Sequence, residues 1–330
     1  MKLWKLPHTD ISVSRMAMGT WGFSGAKLWG ESDDEIAIRT IHMAQELGIN
    51  FFDAAERYGD GRSEEVLGKA LEGRRDTAVV ATKVYTDALG YQDVIDHCEK
   101  SLHRLGTDYI DLYQIHWPSR TIPLEETFRA FDKLKADGKI RAAGVCNFGK
   151  QCIQMAGDYP LTTNQLPYSL IWRQVEKGIT QATTQQGMSV WAYSPLAQGL
   201  LTGKYHVIDD VPLNRRETRF YSSKWQQGRH SDTGFEAEIF ELLPKLRKVS
   251  DETGFSMSAL ALAFLKAQPC VGSILIGSRD PKQLEDNLKS FNAPVPEDVV
   301  ACITALSDSL KEIMGENADP WVNEDGGRMF

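Results

Sequence analysis

Short apolar runs alternate along this chain with longer stretches whose apolar residues recur every three or four positions. The runs are RMAMG (15–19), INFFD (49–53), AVVATK (78–83), YIDLYQIH (109–116), AAGVCN (142–147), LTTNQ (161–165), SVWAYS (189–194) and SILIGS (273–278). Most are close to continuously hydrophobic, which fits parallel strands buried on both faces. The segments between them predict helices over 33–47, 63–72, 92–105, 124–137, 150–156, 175–186, 256–267 and 281–289. In the fourth of these, Leu124, Phe128, Phe131, Leu134 and Lys135 trace one stripe down a helix. Ser32 or Asp33 stands where the first helix needs a cap, and Ser63 where the second does. Gly48, Gly73, Gly106, Gly138 and Gly187 stand where helices should stop.

Eight strand-then-helix units predict an α/β fold, a (β/α)8 barrel; the same alternation also permits a doubly wound open sheet. Residues 2–13 suit an N-terminal β-hairpin closing the barrel bottom. Residues 196–235 form a long loop after the seventh strand, and loops of that length are usually functional or disordered. No repeat appears beyond the βα rhythm, so residues 1–330 read as a single domain. The tail, 315–330, is polar but carries Trp321, Arg328 and Phe330, and suits a segment folded back over a pocket.

Composition narrows the function classes. The net charge of −8, with no long basic block, argues against nucleic acid and anionic membrane surfaces as partners. No stretch approaches the roughly 18 uninterrupted apolar residues of a membrane span. The N-terminus lacks the apolar core of a signal peptide. Cys98, Cys146, Cys152, Cys270 and Cys302 are scattered and odd in number, which fits no disulfide framework or metal site and suits a reducing cytoplasm.

A barrel gathers its chemistry at the C-terminal ends of its strands. There the sequence sets Asp53, with Tyr58 one turn on, then Lys83, then His116. Buried charges need partners, and Asp53 with Lys83 makes a pair. A cation near Tyr58 should lower the phenol's pKa from about 10 and ready it for proton transfer. His116 can hold a substrate oxygen by a hydrogen bond. The set suits a carbonyl becoming an alcohol, with the hydride coming from a cofactor. A Schiff-base lyase using Lys83 is a rival, although pairing with Asp53 would keep that amine protonated. GDGRSE (59–64) lacks the third glycine and later acid of a dinucleotide fingerprint and reads as a turn with a helix start. His97 and His103 share one helix without other ligand types and read as surface or packing residues.

The motifs DAAERYGDGRSEE, ATK, DYIDLYQIHWP, GVCNF, NQLPYSL, AYSPLAQGLLTGKY and LIGSRDPKQLEDN together resemble the aldo-keto reductases from Gly19 to about residue 290. QIHWP and GLLTGKY look like the bacterial branch related to general stress reductases and potassium-channel β subunits. The resemblance implies a barrel that reversibly reduces an aldehyde or ketone with NADP(H) preferred and NAD(H) admissible. It assigns Asp53, Tyr58, Lys83 and His116 as the catalytic tetrad, with Tyr58 the general acid. It assigns Cys146, Asn147, Gln165 and Tyr193 to the nicotinamide end, and Gly19, Thr20 and Trp21 to the cofactor site. Ser194, Pro195, Leu196, Gln198, Gly199 and Lys204 match the pyrophosphate segment, and Gly277, Ser278, Arg279, Gln283 and Asn287 the adenosine and 2′-phosphate segment. Cys146 stands where many members have serine, and Gln283 where many NADP-preferring members have arginine. The channel resemblance also admits a slow NADPH-binding sensor subunit. Trp21, Trp29, Trp117 and Tyr168 are candidates for an aromatic pocket for a small carbonyl or alcohol substrate, and Arg120 and Arg173 hint at a polar or acidic one.

Overall fold

Eight parallel strands close into a barrel in a computed structural model that describes residues 1–330 apart from 26–29, 226–228 and 324–326. An antiparallel hairpin comes first, β1 (Leu3–Lys5) and β2 (Ser12–Ser14). The barrel strands are β3 (Met16–Gly19), β4 (Phe51–Asp53), β5 (Val79–Val84), β6 (Ile110–Ile115), β7 (Ile140–Cys146), β8 (Thr163–Pro167), β9 (Ser189–Tyr193) and β10 (Val271–Gly277). They pair in sequence order, and β10 closes the ring against β3. The barrel, not the open sheet, is therefore the fold.

Helices α1 (Asp34–Glu46), α2 (Arg62–Leu71), α3 (Tyr91–Leu105), α4 (Leu124–Ala136), α5 (Lys150–Met155) and α6 (Ile179–Gln185) follow β3, β4, β5, β6, β7 and β8 in turn. Asp33 caps α1 as expected, accepting from Glu35 and Ile36 N–H groups. The second helix starts one residue earlier than its expected cap: Gly61, at φ 96°, opens it, and Ser63 turns inward to Thr20 Oγ1. Leu124, Phe128, Phe131 and Leu134 of α4 are buried as the stripe requires, while Lys135 is partly exposed.

Two of the last four helices, α7 (Glu236–Thr253), α8 (Met257–Lys266), α9 (Pro281–Asn292) and α10 (Glu297–Ile313), fall outside the sequence expectation. Helix α7 has Ile239, Leu242, Leu243 and Leu246 on one buried face, but Pro244 interrupts its pattern. Helix α10 follows the last barrel unit with no strand of its own.

The hairpin does close the bottom. Leu6, Ile11 and Val13 pack onto Ala17, Phe51, Ala81, Leu112 and Trp191 inside the ring. The remaining apolar side chains fill the layer between strands and helices. With the floor plugged, the open end is the C-terminal one. Among the described residues no helix is long and apolar enough to cross a membrane.

Candidate active site

Asp53 is the last residue of β4 and Lys83 the fifth of β5, on neighbouring strands. Both are buried, at 3% and 0% exposure. The Lys83 ammonium donates to Asp53 at 2.8 and 2.9 Å and to the Ala54 carbonyl at 2.7 Å. Its charge is thus met by a carboxylate and a carbonyl. Gln165, from β8, donates through Nε2 to Asp53 Oδ1 at 2.9 Å. One carboxylate thus ties three strands together, and the buried charge on each side is met.

Tyr58 stands on the turn after β4, where Gly59, Asp60 and Gly61 all take positive φ. Gly59 packs so closely that a Cβ would lie 2.3 Å from the Ser24 carbonyl oxygen. The Tyr58 ring stacks on Trp21 at 5.6 Å, meets His116 edge-on at 5.7 Å, and has the Lys83 ammonium 4.9 Å from its centroid. Its phenol is pushed up to about 12: burial is the main cause, Lys83 pulls it down, and Asp53 pushes it up again. This corrects the expectation of a lowered pKa. Lys83 is engaged with Asp53, and its remaining pull loses to burial.

His116 follows β6 directly. Burial, then the cations Lys83, Arg328 and Arg57, hold its pKa well below the usual histidine value, so the ring is neutral near pH 7. Among the described residues its buried Nδ1 has no partner. Asn147, in the left-handed region at φ 61°, donates from Nδ2 to the His116 carbonyl at 3.0 Å. Asn147 Oδ1 accepts the Tyr193 hydroxyl at 2.9 Å.

These groups sit at one end of a cleft of about 1440 Å³. Gly19, Trp21, Asn147, Gln165, Tyr193, Ser194, Pro195, Leu196, Gln198, Gly199, Lys204, Gly277, Ser278, Arg279, Gln283 and Asn287 line it with Asp53, Tyr58, His116 and Trp117. Past β9 the backbone turns sharply, with Ser194, Ala197 and Gln198 at φ 53°, 47° and 55° and Gly199 at 103°. A Cβ on Gly199 would come 2.9 Å from the end of the Lys204 side chain. Past β10, Asn287 Nδ2 donates to Ser278 Oγ at 2.9 Å, and Arg279 Nη2 to the Glu31 carbonyl at 2.8 Å. The N-terminus of α9 is capped from within the chain. Asp280 already accepts from the Gln283 N–H at 2.8 Å.

Other candidates lie elsewhere. Thr20 and Cys146 are fully buried behind the wall, Thr20 Oγ1 donating to the Asp53 carbonyl and Cys146 Sγ to Gln165 Oε1 at 3.6 Å. Tyr168 is buried too, its hydroxyl donating to Glu176 and its ring against Phe264, away from any substrate. Arg173 is tied to Glu176 and Asp308, and Arg120 to the tail, donating to the Gly327 carbonyl. Trp29 lies outside the described residues. His97 is a packing residue with a specific partner: Glu56 takes its Nδ1 at 2.6 Å and the Tyr85 N–H at 2.8 Å.

Sequence reasoning missed Arg57, Tyr85, Arg215, Glu217, Arg229 and Lys289 in the lining. Arg57 and Tyr85 flank Tyr58 and Lys83, so a wider reading of the strand ends would have found them. The long loop carries Arg215, Glu217 and Arg229, and no local pattern singles them out.

A closed βα barrel with a buried carboxylate–lysine pair, a phenol and a neutral imidazole at its open end defines a class of barrel oxidoreductases. The profile of the Aldo/keto reductase family matches residues 15–308, and the chain belongs to that family. The NADH-specific methylglyoxal reductase of Escherichia coli (strain K12) is 32% identical over 336 residues, covering 94% of this chain and 100% of that protein. The glycerol dehydrogenase AKR11B4 from Gluconobacter oxydans superposes with a TM-score of 0.77 at 31% identity, covering 96% of each chain. A Klebsiella pneumoniae aldo/keto reductase solved with NADP and acetate has a TM-score of 0.71 at 27% identity, covering 93% of this chain and 95% of that one.

Proposed function

We propose that this protein reduces an aldehyde or ketone to an alcohol, reversibly, with NADP(H) preferred and NAD(H) accepted. The observation that carries the reading is Tyr58: a phenol with a pKa near 12, protonated at neutral pH, beside neutral His116 and backed by the buried Asp53–Lys83 pair.

The cleft fits a dinucleotide. It runs from Tyr58 past Gly199 and Lys204 to Arg279, a length no small carbonyl compound would fill. Gln198 has a buried side-chain oxygen without a partner among the described residues. Turned about its last bond, the same amide offers an N–H to an anion. Lys204 adds charge, and Gly199 lets backbone approach closely. Arg279 offers a fork to a 2′-phosphate. When bound, the cofactor supplies the hydride.

The chain's own residues do the rest. Tyr58 donates its hydroxyl proton to the carbonyl oxygen. A ring N–H of neutral His116 holds that oxygen in place and stabilises its developing charge. Lys83 stabilises the phenolate left behind, and Asp53 with Gln165 fixes Lys83 in position. The same contacts work against a lyase, because Asp53 keeps Lys83 protonated and a protonated amine does not attack a carbonyl.

Titration with NADPH and NADH, read by quenching of Trp21 and Trp321 in the cleft wall, followed by turnover of simple aldehydes, tests the reading. Tighter NADPH binding with turnover is expected. Binding without turnover would favour a sensor, and no binding would remove the hydride source. For Arg279→Ala, NADPH affinity should fall about tenfold, one phosphate contact, with NADH affinity little changed. Equal losses for both would remove the 2′-phosphate role.

A further inference from the structure

We propose that the substrate carries a carboxylate as well as its carbonyl, and that the Arg328 guanidinium receives it; this rests on the reductase reading above. Arg328 belongs to the tail after α10, which folds back over the barrel mouth, and it lines the cleft with Tyr58 and His116. Its guanidinium lies over the Trp117 ring, 3.6 Å from the centroid. Fully buried Asp319 grips one edge, taking Nε at 3.0 Å and Nη2 at 3.2 Å. Two of five donors are used there. Among the described residues Nη1 has no hydrogen-bond partner. The edge made by Nη1 and the second Nη2 hydrogen is a fork with the spacing of a carboxylate.

The tail that carries this fork is pinned. The Phe330 carbonyl accepts from the Cys152 N–H at 2.9 Å, and Arg120 lies over the Phe330 ring at 4.0 Å. Gly149 makes room for it, since a Cβ there would meet Phe330 O at 2.6 Å. A side chain already ordered by Asp319 and Trp117 loses little freedom on binding.

The charge layout points the same way. Arg57, on the Tyr58 turn, is another cation at the Tyr58 end of the lining, and its partner Asp87 is 59% exposed, so that pair is weak. Arg328 and Arg57 both act on His116 as nearby cations. An anionic group beside a carbonyl held at His116 therefore faces positive charge.

The test compares kcat/KM, with NADPH, for glyoxylate and 4-oxobutanoate against their methyl esters, which keep the chain and lose the charge. The acids should be preferred by about tenfold or more, the scale of one charge-assisted hydrogen bond. The preference should shrink as salt is raised. Arg328→Met should bring the acid-to-ester ratio close to one, and Arg328→Lys should restore part of it, because an ammonium keeps the charge and loses the fork. Should either variant fail to fold, the wild-type ratio and its salt dependence still decide. Esters used as well as the acids, or better, overturn the proposal and leave the reductase reading standing. No turnover of either, with NADPH bound, overturns both.

Discussion

The two ends of the barrel each bury a carboxylate that holds cations, and they use it differently. At the floor, Asp111 on β6 is 1% exposed and takes Arg75 at 2.7 Å, Arg141 at 2.6 Å and the Val80 N–H at 2.9 Å. It joins strands to their flanks beneath the hairpin. At the mouth, Asp53 is buried as deeply and takes Lys83 and Gln165. Around Asp111 the chain is regular strand. Around Asp53 it is not: Asn147, Ser194, Ala197 and Gln198 all sit in the left-handed region, each costing about 1–3 kcal/mol. The mouth also holds His116 Nδ1 and Gln198 Oε1 without partners among the described residues. Among the described residues the floor has His8 left-handed, and Trp4 and Trp191 Nε1 there also lack partners, so unmet polarity does not separate the two ends. Backbone strain gathered in one cleft marks the end where a ligand is expected.

Removing the mouth's cation should have the largest effect. Lys83→Met leaves Asp53 buried without its partner, which should cost about 3–5 kcal/mol in denaturant unfolding. Turnover should fall by about 10²–10⁴, the scale of proton-transfer catalysis, because the phenolate loses its neighbour. A stable variant with near-normal kcat would dissolve the distinction between the two ends. Breaking the floor's carboxylate should separate stability from chemistry. Asp111→Asn is expected to lose about 1–3 kcal/mol in the same unfolding experiment. Its kcat/KM per folded molecule should match the wild type, and a specific rate loss would mean that the floor reaches the site.

Smaller effects sharpen the comparison. Gly199→Ala puts a Cβ at φ 103° and against Lys204, and should weaken NADPH binding by about tenfold through a local strain of about 1–3 kcal/mol. Unchanged affinity would show that the Ser194–Gly199 turn is not part of the cofactor's seat. The smallest effect is the pH dependence. Tyr58 is shifted up, so it stays a proton donor above pH 9; His116 is shifted down, so it stays neutral below pH 6. The rate of reduction should therefore be level from about pH 6 to about pH 9. A limb inside that window, lost on changing His116, would contradict the neutral-ring assignment.

Much of this was legible in the sequence, and the reasons are specific. Strands buried on both faces announce themselves as apolar runs, so all eight barrel strands and the closing hairpin could be read. Asp53, Lys83 and His116 stood out because ionisable residues seldom end such runs. Helix α7 was hidden by Pro244, and α10 by having no strand to follow. The direction of the Tyr58 shift was misread because a sequence shows that a lysine is near, but not that Asp53 already holds it, nor how deep the phenol lies. Tyr168 and Arg173 pointed inward for the same reason: position after a strand end does not fix which face a side chain takes. Arg328 could only be placed at the mouth once the tail's return across the barrel was known, since nothing local links Phe330 to Gly149 and Cys152.

The most direct measurement pairs two readings on Tyr58→Phe: NADPH affinity by tryptophan quenching, and turnover of an aldehyde that the wild type reduces. The phenyl ring keeps the packing against Trp21 and His116 and loses the hydroxyl, and with it the proton. Affinity close to wild type with turnover lower by about 10²–10⁴ is the expected result. Turnover retained with affinity unchanged would contradict the assignment of Tyr58 as the proton donor, and with it the central account of the site.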